Sequence, residues 1–254
     1  MALAFQIVGV ATAFLLGAFV GNFYHLLVHR LPGGGFRVIL PPACPSCGRA
    51  ERRIWMLPLV WYPILKGRCP ACGFRYRKNL LTWEALSGGV SALLFYYYGF
   101  SLAFATTFIF CFFFLLNYWV EFRYGALVPQ LYFPALAVGL ALSFLAGPPS
   151  PASAVAGGLL GGGALLLTRP GRGLFGDAAR GPERQLAVVA LAGVYLGWQS
   201  ALFVLAFAGA AAFVVPRVGR RFFGRAPENA FGVAVFAATL VLVFFHGDVA
   251  AWYF

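Results

Sequence analysis

The stretch LAVVALAGVYLGWQSALFVLAFAGAAAFVVP, residues 186–216, runs for 31 residues without a Lys, Arg, Asp or Glu. Whether it crosses a membrane once or twice decides the architecture around it. As one straight helix it reaches about 46 Å at 1.5 Å per residue, well beyond a hydrocarbon core of ~30 Å. Gly197, Trp198, Gln199 and Ser200 interrupt its middle with turn-prone and polar groups. Two helices made from it must be short, or tucked beneath the surface. Charge chooses between the two. A single crossing places Arg217, Arg220, Arg221 and Arg225 opposite every other basic loop. Two crossings put all nineteen Lys/Arg on one side, in 30–78, at Arg123, in 169–184 and in 217–225. Basic loops collect on the cytoplasmic side, so the run is expected to cross twice.

The rest of the chain fits that frame. Apolar residues make up 61% of the 254 and charged residues only 10%, against about 25% charged in a soluble domain. Further apolar runs of spanning length lie near 4–28, 80–98, 101–119, 129–146, 151–168 and 229–246. The first has no basic segment before it and runs straight into VHRLPGGG, so it reads as an anchor and not as a cleavable signal. The expected fold class is an all-α polytopic membrane protein of about eight transmembrane helices, with both termini outside the cytoplasm. Its parts are a first transmembrane helix (1–29), a cytoplasmic four-Cys loop (30–79), and a seven-helix membrane domain (80–254). Cytoplasmic loops of the last part are expected at 120–128, 169–185 and 217–228. Topology and contact with anionic lipids account for the net charge of +12, and no nucleic-acid partner is needed.

Residues 30–79 are the exception to the apolar rule. Cys44 and Cys47 form one CPxCG knuckle, Cys69 and Cys72 a second, with 21 residues between them. Two such knuckles can present four thiolates tetrahedrally, the arrangement that structural Zn²⁺ takes. Gly48 and Gly73 each follow a pair by one residue, where the turn is tight. The competing reading, two disulfides, is disfavoured on the reducing side of the membrane. Zinc would also fold a loop too short and too basic to build a core. The fifth cysteine, Cys111, lies among Phe residues inside a span and reads as packing. His25 and His29 stand one helical turn apart with no third ligand nearby, and also read as packing. Glu84 opens the second span and is expected to pair with the basic loop. GGLLGGG, residues 157–163, is no phosphate loop, because no Gly-Lys-Ser/Thr follows. In a membrane it suits close helix approach.

The order GAFVGNFYHLLVHRLP (17–32), the double CPxCG with LPLVWYPILKGRC (57–69), then FRYRKNLLTWEALSGGVSALLF (74–95) resembles the N-terminal half of bacterial prepilin peptidases. The resemblance is dense over about 15–95 and looser beyond. It implies an eight-span aspartic endopeptidase of the inner membrane. Such an enzyme removes the basic leader of type IV pilin-like precursors, and many members then methylate the new N-terminus with S-adenosylmethionine. Substrates or partners would be those precursors or other subunits of a membrane assembly.

Residue by residue, the resemblance carries two catalytic acids onto Glu121 and Asp177, and both depart from the pattern. The first family Asp stands six residues before a Val/Ile/Leu-Pro pair. Here Glu121 takes the slot in VEFRYGALVPQ, one residue farther from Pro129, with Gln130 where Asp or Asn is usual. The second family Asp closes a Gly-x-Gly-Asp stretch. Here GRGLFGDAARGPERQLA places Asp177 after Gly176, with Leu174 in place of Gly and Ala179 in place of Lys. An aspartic dyad needs two carboxylates close enough to share a proton. Glu moves its carboxylate by about 1.5 Å, and a misplacement near 1 Å costs about 100-fold in rate. The sequence therefore predicts a prepilin-peptidase-like protein, catalytically impaired or inactive, that acts as a scaffold or subunit. The alternative is an active leader peptidase working through Glu121 and Asp177, with S-adenosylmethionine as a cofactor only if methyl transfer is retained. On the inactive reading both acids simply pair with Arg123, Arg172 or Arg180.

Overall fold

The computed structural model describes residues 2–28, 44, 46–49, 59–75, 79–124, 128–145, 149–167, 183–223 and 230–253. Among them every extended element is a helix: α1 (Ala2–Val28), α3 (Asn79–Tyr98), α4 (Leu102–Tyr124), α5 (Pro129–Leu145), α6 (Pro151–Leu167), α7 (Glu183–Leu196), α8 (Trp198–Phe223) and α9 (Ala230–Tyr253). A single turn, α2 (Trp61–Ile64), lies in the cysteine module. The sole β feature among the described residues is an isolated antiparallel bridge between Arg68 and Arg75. Among the described residues, windows long and apolar enough to cross a bilayer occur in three helices, at Gln6–Tyr24, Leu102–Glu121 and Trp198–Val215. Shorter apolar helices run over Pro129–Leu145, Leu186–Leu196 and Val233–Phe245.

The run that opened the question is split. Gly197 takes φ +89 between α7 and α8, a left-handed conformation that glycine adopts without Cβ strain. Its N–H closes α7 on the Gly193 carbonyl at 2.9 Å, and its own carbonyl accepts from Ala201 at 3.2 Å as α8 begins. At 14 residues, α7 spans only about 21 Å. Leu186 to Tyr195 are buried without a break, so this stretch of the helix is enclosed by protein on all sides.

Two helices run on into segments expected as loops. α4 continues through Glu121 to Tyr124, within the expected loop 120–128. Likewise α8 runs through Arg217 to Phe223, seven residues into the expected loop 217–228. Charge marks where apolar solvent ends, but it does not stop a helix. Glu and Arg propagate one almost as well as Ala. Arg217 fits this picture: it folds back one turn, donating to the Phe213 carbonyl at 2.7 Å with its guanidinium 3.3 Å from the Phe213 ring centroid.

The chain divides into two compact units, Met1–Phe108 and Ile109–Phe254. In the first, α1 and α3 pack antiparallel with their backbones close. A Cβ on Gly9 would run into the Phe95 ring, one on Gly17 would meet the Ser91 Cβ at 2.5 Å, and one on Gly21 would meet the Glu84 Cα at 2.8 Å. In the second unit, α6 and α7 meet the same way at Gly157 and Gly193. Around them runs an aromatic seam. Phe110 packs on Tyr195 at 5.0 Å, and Phe236 stacks between Phe114 at 5.6 Å and Tyr118 at 4.3 Å. The Tyr195 hydroxyl donates to the Ala135 carbonyl at 3.0 Å, giving the buried phenol the partner it requires. Cys111 is buried in this unit, as its packing role demands.

Candidate functional site

The cysteine module is built from two matching turns. Cys44 donates its N–H to the Arg49 carbonyl at 3.0 Å while Gly48 donates to the Cys44 carbonyl at 2.9 Å. Cys69 donates to the Phe74 carbonyl at 2.8 Å while Gly73 donates to the Cys69 carbonyl at 2.9 Å. Each turn reverses at its glycine, with φ +66 at Gly48 and +71 at Gly73. This repeated hydrogen-bond pattern points the two thiols of each knuckle toward one centre. All four Sγ atoms, of Cys44, Cys47, Cys69 and Cys72, lie within 4.8 Å of one another. The Cys44 and Cys72 sulfurs are 3.7 Å apart. Four thiolates at about 2.3 Å from a tetrahedral metal stand about 3.8 Å apart, whereas a disulfide needs about 2.05 Å. The donor set and spacing fit a metal ion, and none of the four cysteines is in a disulfide.

Electrostatics points the same way. The Arg49 backbone N–H favours the Cys47 thiolate, but desolvation and the neighbouring thiols of Cys72, Cys44 and Cys69 outweigh it and push Cys47 up to about 11. The three neighbouring thiols oppose ionisation of Cys47. A cation at the centre reverses the balance.

Glu84 joins the module to the membrane helices. It is fully buried at the α1–α3 contact, and one carboxylate oxygen accepts the Leu59 backbone N–H at 2.6 Å. Leu59 adopts φ +64, a conformation that costs a side-chain-bearing residue about 1–2 kcal/mol. The expected pairing of Glu84 with the basic loop is thus at least in part a bond to the loop's backbone. No sequence signal names Leu59, because a left-handed leucine is set by tertiary contacts alone.

Of the two candidate catalytic acids, the structure places one. Glu121 is 9% exposed, inside α4 and three residues before its end. Asp177 lies outside the described residues, as do Arg172, Arg180 and the side chain of Arg123. The helices on either side of Asp177 end at Leu167 and restart at Glu183.

Residues 15–98 match the family model described as Bacterial Peptidase A24 N-terminal domain. A prepilin leader peptidase/N-methyltransferase of Burkholderia pseudomallei (strain 1026b) is 30% identical over 268 residues, covering 91% of this chain and 84% of the relative. The protein of the same description from Neisseria gonorrhoeae is 26% identical, over 84% of this chain and 85% of the relative. That from Myxococcus xanthus (strain DK1622) is 25% identical, over 80% of this chain and 60% of the relative. No solved structure matches.

Proposed function

This chain belongs to the prepilin leader peptidase/N-methyltransferase family, and on that premise we propose that it keeps the family's frame without its full catalytic power. In this reading it is a multi-pass protein of the bacterial inner membrane, with eight crossings and both termini outside the cytoplasm. It serves as a scaffold or subunit that holds pilin-like precursors or other membrane-complex subunits. One observation carries the reading. Glu121 sits within a continuous helix that runs on to Tyr124. A loop could absorb the extra methylene of Glu by shifting its backbone, but a helix fixes the Cα. In this reading the longer Glu side chain carries its carboxylate about 1.5 Å beyond that of an Asp on the same Cα, and the extra residue before Pro129 is a second departure from the family spacing.

Zn²⁺ is assigned to Cys44, Cys47, Cys69 and Cys72. It would act structurally, because four protein ligands leave no open position for substrate or water. No described side chain is assigned to S-adenosylmethionine.

A second reading, an active peptidase using Glu121 and Asp177, draws support from the burial of Glu121. An acid held inside an apolar helix is functional by default. Reconstituted protein incubated with a pilin-like precursor separates the two. The scaffold reading expects the precursor to bind and stay intact, with Glu121→Gln leaving binding unchanged. Cleavage abolished by Glu121→Gln would sink it.

A further inference from the structure

Residues 30–79 carry ten Lys/Arg against one acid, Glu51, so most of the chain's +12 is concentrated in this one module. Its described surface mixes those cations with exposed apolar groups. Lys66, Arg68 and Arg75 are exposed, and beside them in the same short segment Val60, Ile64 and Phe74 are 48%, 56% and 40% exposed. Arg68 and Arg75 face each other across the antiparallel bridge. Directly opposed residues project their side chains to the same face about 5 Å apart, and like charges there are destabilising. An anion between the two guanidiniums turns that repulsion into attraction.

The module is also held at a fixed level. Arg75 precedes the first residue of α3 by four positions, a reach of at most about 14 Å. At its other end, the Leu59 N–H is bonded to Glu84, in the second turn of α3. Both tethers keep the exposed surface next to the bilayer that the apolar helices occupy. Basic residues at that level are attracted to anionic headgroups, and exposed apolar side chains gain by entering the interfacial layer.

We propose that the Val60–Arg75 segment is a lipid-docking surface. Arg68, Arg75 and Lys66 engage the phosphates of anionic lipids, and Val60, Ile64 and Phe74 enter the headgroup layer. The Glu84–Leu59 bond sets the height at which they meet. This rests on the metal-folded module described above.

The test uses the full chain in nanodiscs of phosphatidylcholine with and without phosphatidylglycerol, read by amide hydrogen exchange over residues 59–75, with zinc content measured on the same samples. Phosphatidylglycerol is expected to slow exchange of this segment. In Arg68→Gln with Arg75→Gln, the ratio of docked to undocked module should fall about five-fold for each charge removed, with zinc content unchanged. Raising salt on the unmodified chain to about 1 M, where screening reaches about 3 Å, should reproduce the loss without any substitution. Equal exchange in the two lipids, or a lipid effect indifferent to both salt and the double substitution, overturns the proposal. Protection that appears only when an acidic protein partner is added overturns it as well. A metal-free protein that still shows the lipid effect retires the zinc assignment alone, and one that shows none retires both.

Discussion

The motif GGLLGGG tests whether the α6–α7 contact is as close as described, because its glycines are not equivalent. A Cβ on Gly157 would stand 2.6 Å from the Gly193 carbonyl carbon and 2.8 Å from the Gly193 Cα, and a Cβ on Gly193 would stand 2.5 Å from the Gly157 carbonyl carbon. Ordinary contact begins at 3.4 Å, so either alanine is nearly 1 Å too close to backbone that cannot rotate away. The helices must part. Overpacking of this kind costs about 1–3 kcal/mol. A Cβ on Gly161 meets the Ala190 Cβ at 2.8 Å and its backbone nearby, so Gly161→Ala should behave alike. At Gly162 and Gly163 nothing lies within 4 Å. Alanine there should be neutral or stabilising by up to about 1 kcal/mol, the helix-propensity difference. Gly157→Ala combined with Gly193→Ala should cost less than the sum of the singles, because one separation accommodates both methyl groups. Equilibrium unfolding in mixed micelles, read by tryptophan fluorescence, measures each variant. Equal losses at Gly157 and Gly162, or strict additivity of the pair, would refute the close-backbone argument.

Metal removal comes next: Cys44→Ser or Cys69→Ser should abolish a content of about one Zn²⁺ per chain and loosen the module while the spans stay inserted, checked by metal analysis and limited proteolysis. The same site should empty as pH falls, since Cys47 without metal holds its proton up to about 11 and zinc must compete with protons for four thiolates; zinc retention measured against pH should rise with pH and never fall. Glu84→Ala should cost about 1–3 kcal/mol by leaving the Leu59 N–H without this acceptor, whereas Glu84→Gln, which keeps a carbonyl oxygen, should cost less; the unfolding assay ranks them. Single cysteines at 199 and 222 should label from opposite faces of the membrane if α7 and α8 both cross, and labelling from one face contradicts the eight-crossing topology.

Much of the helix order was legible because lipid leaves few options. Backbone groups in hydrocarbon must be satisfied within a helix or a closed barrel, so apolar runs translate directly into elements. The break at Gly197 was legible for the same reason, since 31 apolar residues overfill a bilayer and GWQS offers the turn. The knuckles were legible through ligand chemistry, as CPxCG fixes both the thiol pair and the glycine that closes the turn. Hydropathy could not show that Leu186 to Tyr195 are buried on every side of α7, because protein and lipid neighbours are equally apolar. Nor could it set the ends of α4 and α8, since the helix does not end at the interface. The Glu84–Leu59 bond was out of reach because it joins residues 25 apart through a backbone conformation leucine rarely takes.

What remains is the claim that the frame is kept while the first carboxylate is misplaced. The direct measurement is the single-turnover cleavage rate of a pilin-like precursor by reconstituted native chain, set against Glu121→Asp with Gly125 deleted to restore the distance to Pro129. A carboxylate displaced by one methylene and one residue of register predicts little or no cleavage by the native chain, and a rise of about 100-fold or more in the repaired one. Cleavage by the native chain that is lost in Glu121→Gln and not improved by the repair would contradict it.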